Sequence, residues 1–209
     1  VEPFSILEKY GADATRWYML YASPVWTPLK FDEDGIKEVQ SKFFNTLKNT
    51  YTFFQLYANT DHIDPREFKV KYKDLDEIDK WLLSKYHKLV HYVTNAMDEY
   101  DLNKAVKLIN YFVNEDLSNW YIRRNRRRFW ESEMTTSKKA VYQTTYEVLV
   151  GVCLLIAPIV PFVADEIYVN LTGEESVHLA DYPQYDKKMI QETIEKKMDL
   201  VRELISLGR

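Results

Sequence analysis

A single cysteine, Cys153, leaves this 209-residue chain without an internal disulfide framework and fits a reducing, cytoplasmic setting. It lies in the apolar run Val148 to Ile156, where it reads as a small buried side chain rather than a nucleophile. That run is short and soon interrupted by Pro158 and Pro161, so a core helix is expected there rather than a membrane span, and no signal peptide is expected ahead of it. Five glycines and seven prolines are too few for a many-turned sheet protein and favour long helices. The sequence also lacks repeats, low-complexity tracts and long linkers. It has no glycine-rich phosphate loop, no pair of Cys-x-x-Cys clusters, no His-Glu-x-x-His and no Gly-x-Ser-x-Gly, so no catalytic residue is assigned. His87 and His91 share a helical face, but no third metal ligand follows, and they read as a hydrogen-bonded or solvated pair beside Tyr86 and Tyr92. A formal charge of −4 excludes a generally basic nucleic-acid coat, so any such binding must be local.

Against that acidic background, Arg123, Arg124, Arg126, Arg127 and Arg128 stand together between Trp120-Tyr121 and Phe129-Trp130. Guanidinium groups fork onto phosphate oxygens and stack on bases, and tryptophan offers a flat face to an unpaired nucleotide, a mixture that suits RNA. The alternatives are a solvated helix end paired with Glu115, Asp116, Glu131 and Glu133, or a helical scaffold whose arginines bind an acidic protein. With a helix from residue 101 advancing about 100° per residue, Leu102, Val106, Ile109, Val113, Leu117 and Trp120 form one apolar stripe. Extended at the same angle, the stripe meets Arg124 and Arg127, with Arg123 and Arg128 at its edges and Arg126 turned away. The expected RNA contacts are Trp120, Arg123, Arg124, Arg127, Arg128 and Trp130, with Lys42, Asn45 and Asn49 as subsidiary ones. Trp120, being on the stripe, is expected to be packed.

Elsewhere the punctuation predicts helices over Pro3 to Tyr10 and Ala12 to Ala22, then an extended Pro24 to Phe31. A long helix opens at Asp32-Glu33-Asp34, turns Phe43, Phe44, Leu47, Tyr51 and Phe54 inward, and ends near Asn59. After a polar loop over residues 60–73, Asp76 caps a helix carrying Trp81, Leu82, Tyr86, Leu89 and Val93 inward. A further helix starts at Thr135 to Ser137, kinks at Ala157-Pro158 and stops at Gly173. The last is amphipathic, with Ile190, Ile194, Met198, Val201 and Ile205 at helical spacing.

Five stretches carry a resemblance to a known family. Glu8-Lys9-Tyr10-Gly11-Ala12-Asp13-Ala14-Thr15-Arg16-Trp17-Tyr18 resembles the segment after the signature lysine loop of class I aminoacyl-tRNA synthetases for branched aliphatic amino acids. Leu155 to Ile167, with its Ala157-Pro158 and Pro161-Phe162, resembles their helical anticodon-binding domains. Asp116 to Arg124, the connector Ser176 to Pro183, and the ending Leu200 to Arg209 are similar to the isoleucyl-tRNA synthetase group. A valyl-, leucyl- or methionyl-tRNA synthetase domain is the neighbouring alternative. The resemblance implies an all-α anticodon-binding helical bundle in a monomeric cytoplasmic ligase, with tRNA(Ile) as its partner. Residues 1–31 would be the stem-contact and connecting segment, 32–184 the bundle, and 185–209 a C-terminal helix leading to a further extension. Arg16 and Trp17 would pack against the catalytic domain. Catalysis and proofreading, with ATP and Mg, would lie outside this chain, which reads as a fragment because it starts at Val1; zinc is implied only for other regions.

Overall fold

Glu2 caps the first helix, α1 (Pro3–Tyr10), through the amides of Phe4 and Ser5, and Gly11 at φ 83° closes it and hands the chain directly to α2 (Ala12–Ala22). The computed structural model describes residues 2–208, so Val1 and Arg209 of the terminal motifs lie outside the described residues. Capped by Asp32, α3 (Glu33–Val39) runs without a break through a π-helical turn, Gln40–Phe44, into α4 (Asn45–Thr60). The loop expected over residues 60–73 contains two short 3-10 turns, Pro65–Glu67 and Tyr72–Asp74. An Asp76/Asp79 capping box starts α5 (Glu77–Asp98), and Asp101 caps α6 (Leu102–Tyr111). A π-helical segment, Phe112–Ile122, joins α6 to α7 (Arg123–Trp130) in one rod. Then come α8 (Thr136–Ile156), capped by Thr135, α9 (Pro161–Thr172), closed by Gly173 in the left-handed region, and α10 (Glu192–Leu207). There is no strand among the described residues, so the all-helical expectation holds.

The core is formed where α4, α5, α6 and α8 face one another, with Leu47, Phe54, Trp81, Val90, Ile109, Val141, Leu149 and Cys153 buried. The residues expected to point inward from α5 are all buried. Among the described residues one helix, α8, is long and apolar enough to cross a membrane, longer than the apolar run alone indicated, but two-thirds of that stretch (67%) is buried in the bundle. A core helix gives the same hydropathy as a spanning one.

Two expectations are corrected here. Trp17 does not face a neighbouring domain: it has 0% exposure and stacks on Phe43, centroids 4.0 Å apart and rings 7° from parallel. The π turn of Gln40–Phe44 brings the adjacent Phe43 and Phe44 both inward, so Trp17 is captured by this chain's own core. Arg16 remains on the surface beside Asp13 (3.6 Å) and over the Phe162 ring. Residues 3–22 are joined firmly to the bundle: Asn103 Nδ2 donates to the Leu20 and Tyr21 carbonyls, and Asp13 accepts the Val163 N–H at 2.8 Å to cap α9. The stripe expected on the last helix is also only partly covered, since Ile190 precedes α10 and Val201 is 44% exposed. The inward anchor is instead Glu195, buried and bonded by Ser84 Oγ (2.6 Å) and Lys88 Nζ (2.9 Å).

Candidate nucleic-acid interface

The arginine run sits at the end of a rod whose register is reset partway along. In a π-helix the i→i+5 bonds widen the turn, so each residue advances less than the roughly 100° of an α-helix. Over the eleven residues Phe112–Ile122 this lag accumulates. The buried line becomes Leu117, Tyr121, Asn125 and Phe129 in steps of four, not the line through Trp120, Arg124 and Arg127. Arg123, Arg124, Arg126 and Arg127 are therefore all exposed, and Arg126 is not set apart from them.

Arg128 is the arginine withdrawn from the surface, which corrects its assignment as a phosphate contact. Its Nη1 and Nη2 donate to Asp79 Oδ1 (2.7 Å) and Oδ2 (2.8 Å), and Nη2 also reaches the Ser137 carbonyl at 2.6 Å. Asp76 is 3.1 Å away. Asp79 has 0% exposure and also accepts the Tyr121 hydroxyl at 2.6 Å. Burial works against the Arg128 charge, but the Asp79 hydrogen bonds, with Tyr121 and Asp76, outweigh it and hold its pKa above the ordinary arginine value. Two carboxylates from the start of α5 thus fix α7 from beneath. Lys138, buried on α8, bonds the Glu131 carbonyl at the end of α7 and pairs with Asp61.

Above this anchor the π-helical segment and α10 enclose a cavity of about 710 Å³, lined by Glu115, Asn119, Trp120, Arg123, Arg124, Arg202, Ile205 and Ser206. Trp120 is 8% exposed, and the Arg124 guanidinium lies 3.6 Å over its ring, with Arg202 at 5.2 Å. Arg202 is fixed by Asp116, Nη1 to Oδ1 at 2.6 Å, and Lys85 is 3.6 Å from the other oxygen. Burial raises the Asp116 pKa above the usual carboxylate range, against the pull of Lys85 and Arg202.

The structure thus gathers Trp120, Arg123 and Arg124 at one cavity, and Lys42 lines an adjoining one that shares Glu115 and Asn119. Arg127 and Trp130 are exposed farther along α7. Asn45 does not join them: it lines a separate cavity with Asp13, Lys48 and Phe162, and Asn49 is exposed on α4. Sequence reading missed Arg202, Glu115 and Asn119 as part of this site. Arg202 reaches it from 86 residues beyond Asp116, a separation no local pattern encodes. His87 and His91 are seated as expected: His87 Nδ1 accepts the Asp186 N–H, and the His91 ring packs on Tyr92 and Tyr185.

The family model for the anticodon-binding domain of tRNA ligase matches residues 79–209. The chain belongs to this family of anticodon-binding domains. Its curated relatives include the isoleucine–tRNA ligases of Bacteroides thetaiotaomicron (47% identical, 99% of this chain and 18% of that protein) and Porphyromonas gingivalis (45%, 99% and 18%). That of Clostridium novyi is 44% identical over 100% of this chain and 20% of its own length. This anticodon-binding domain therefore spans only a fifth or less of those ligases, and its match to them runs through α1–α4 as well. Among solved structures, Agrobacterium radiobacter LeuRS, in a ternary complex with tRNA and LeuAMS, matches at a TM-score of 0.68 over 91% of this chain and 22% of that chain. At 16% identity that likeness is one of fold.

Proposed function

We propose that this domain grips the anticodon stem-loop of tRNA(Ile) for a ligase that attaches isoleucine to that tRNA using ATP. The observation that carries the reading is the display of Arg123, Arg124, Arg126 and Arg127 beside Trp120 on a rod held from below by the Arg128–Asp79 pair. Four exposed guanidiniums on one helix make a strong local positive patch on an acidic chain, and a pre-fixed helix does not have to be ordered on binding. The kinship with isoleucine–tRNA ligases, at 44–47% identity, supports tRNA(Ile) as the partner. The domain works in the cytoplasm as part of a monomeric ligase, with Arg16 and the exposed Phe162 turned to the catalytic domain. ATP and Mg are the business of other parts of that ligase.

Fluorescence anisotropy with labelled tRNA(Ile) across a salt series tests this. Arg123→Ala and Arg127→Ala should each weaken binding and lower the salt slope by about one unit at most. Changing the anticodon bases should weaken it further, because a surface made for an acidic protein has no reason to read bases. Binding that ignores both changes refutes the proposal.

A further inference from the structure

The cavity between the π-helical segment and α10 has an acidic side for which phosphate binding has no use. We infer that it receives one unpaired guanine of the bound RNA, and that Glu115 selects it; this rests on the RNA-binding reading above. Arg202, the cation reaching in from α10, is committed to Asp116 at 2.6 Å, and what it gives the Glu115 residue is a 3.5 Å contact to the backbone carbonyl. Glu115 lines the cavity together with Arg123 and Arg124, and its negative charge repels phosphate from its own end. A phosphate is drawn to the arginine rim, which leaves the acidic end for a base.

The carboxylate offers two acceptors and no donor. Guanine alone among the four bases presents two adjacent N–H donors, N1–H and the 2-amino group, on its Watson–Crick edge. Adenine and cytosine set a single amino donor beside an acceptor nitrogen, and uracil sets one N–H between two carbonyls, so each opposes a lone pair to one carboxylate oxygen. Asn119 Nδ2 lies 3.4 Å from Glu115 Oε1, which puts an amide donor next to the carboxylate, as guanine O6 requires beside N1–H. Arg124, 3.6 Å over Trp120, supplies a guanidinium plane for the base to stack on, and Ile205 and Ser206 close the opposite wall. The cavity, about 710 Å³, has room for a nucleotide.

The test uses fluorescent RNA hairpins in which each loop position in turn carries guanine, inosine or adenine. At one position the wild-type chain should favour guanine over adenine by roughly 5- to 140-fold, the span of one good bidentate contact. Inosine, which lacks the 2-amino group, should fall between them. Glu115→Gln and Glu115→Ala should both erase this preference while leaving the salt slope and the melting temperature unchanged, since the side chain is half-buried and its hydrogen bond from Asn119 Nδ2 is long, 3.4 Å. Hairpins that bind with equal affinity, or a preference that survives in both variants, would overturn the inference and leave the RNA-binding reading standing provided Arg123→Ala still weakens them. Failure of every hairpin to bind removes both.

Discussion

Replacing Arg128 by alanine should cost fold stability rather than RNA affinity. The guanidinium makes two hydrogen bonds to Asp79 (2.7 and 2.8 Å), one to Asn125 Oδ1 (3.0 Å) and one to the Ser137 carbonyl (2.6 Å). Its removal leaves Asp79, at 0% exposure, with the Tyr121 hydroxyl and the Asp76 N–H as remaining donors. Stripping one partner from a buried pair costs about 3–5 kcal/mol. The Arg128 side chain is 12% exposed, so water enters the gap and the lower end applies, about 3 kcal/mol. For a domain of this size that lowers the melting temperature by about 6–12 °C. Arg128→Lys should recover only part of the loss, because an ammonium cannot span both Asp79 oxygens in the forked geometry. Calorimetry gives the stability, and tRNA anisotropy well below the lowest melting point gives the affinity. An Arg128→Ala protein that melts like wild type but loses salt slope as Arg123→Ala does would put Arg128 on the RNA surface and refute the register derived from the π-helical segment.

The two tryptophans should separate in the same pair of assays. Trp120→Ala should cost about 3–5 kcal/mol of stability, whereas Trp130, 55% exposed, should leave the melting temperature alone when removed and weaken RNA binding by about 1–3 kcal/mol if a base stacks on it. His87 has its pKa lowered by burial, with Asp186 opposing, and its neutral ring accepts the Asp186 N–H at 3.0 Å. Because the folded value lies below the unfolded one, its contribution is present above about pH 6.5 and is lost as pH falls through the folded value; the exchange protection factor of the Asp186 amide should drop over that range and stay flat if the ring is irrelevant. Gly151→Ala should lower the melting temperature, because a Cβ there would lie 2.0 Å from the hydroxyl of Tyr86, which is 6% exposed. Overpacking of about 1–3 kcal/mol outweighs the roughly 1 kcal/mol gained in helix propensity; a rise in melting temperature would show that Tyr86 yields freely.

Helix ends were legible because they are local. Gly11, Asp32, Asp76, Asp101, Thr135 and Gly173 each satisfy or terminate a turn within a few residues, and each does so where the sequence predicts. Trp120 is packed, as its place on the stripe predicts, although it lies within the π-helical segment. Arg128 was not legible. Extrapolation at a constant angle fails across eleven residues of wider turn, and nothing in Phe112 to Ile122 marks that turn in the sequence. Trp17 misled in a different way: a large aromatic beside an exposed arginine suits an interface, and only the paired inward turn of Phe43 and Phe44 claims it for the core. Glu195 and Arg202 on α10 look like the polar face of an amphipathic helix, but their partners, Ser84, Lys88 and Asp116, are distant in sequence.

The wider turn also explains how one short helix holds five arginines without unfolding itself. At constant α-helical register Arg124 and Arg127 would face the core, where two guanidiniums have no carboxylates waiting and desolvation alone would expel them. The π-helical lag turns Asn125 and Phe129 inward instead and presents Arg128 to Asp79 and Asp76 at the start of α5. Those carboxylates already cap α5, so one acidic pair serves both a helix start and the arginine strip. The remaining four arginines stay at the surface, Arg124 lying over the Trp120 ring. Arg202 couples the other wall to the same rod, binding Asp116 and lying over both Trp81 and Trp120. Arg202 therefore joins Glu195 in placing α10 and ties that helix to the floor of the cavity, so loss of Arg202 should disturb the base-reading end while the arginine strip keeps its charge.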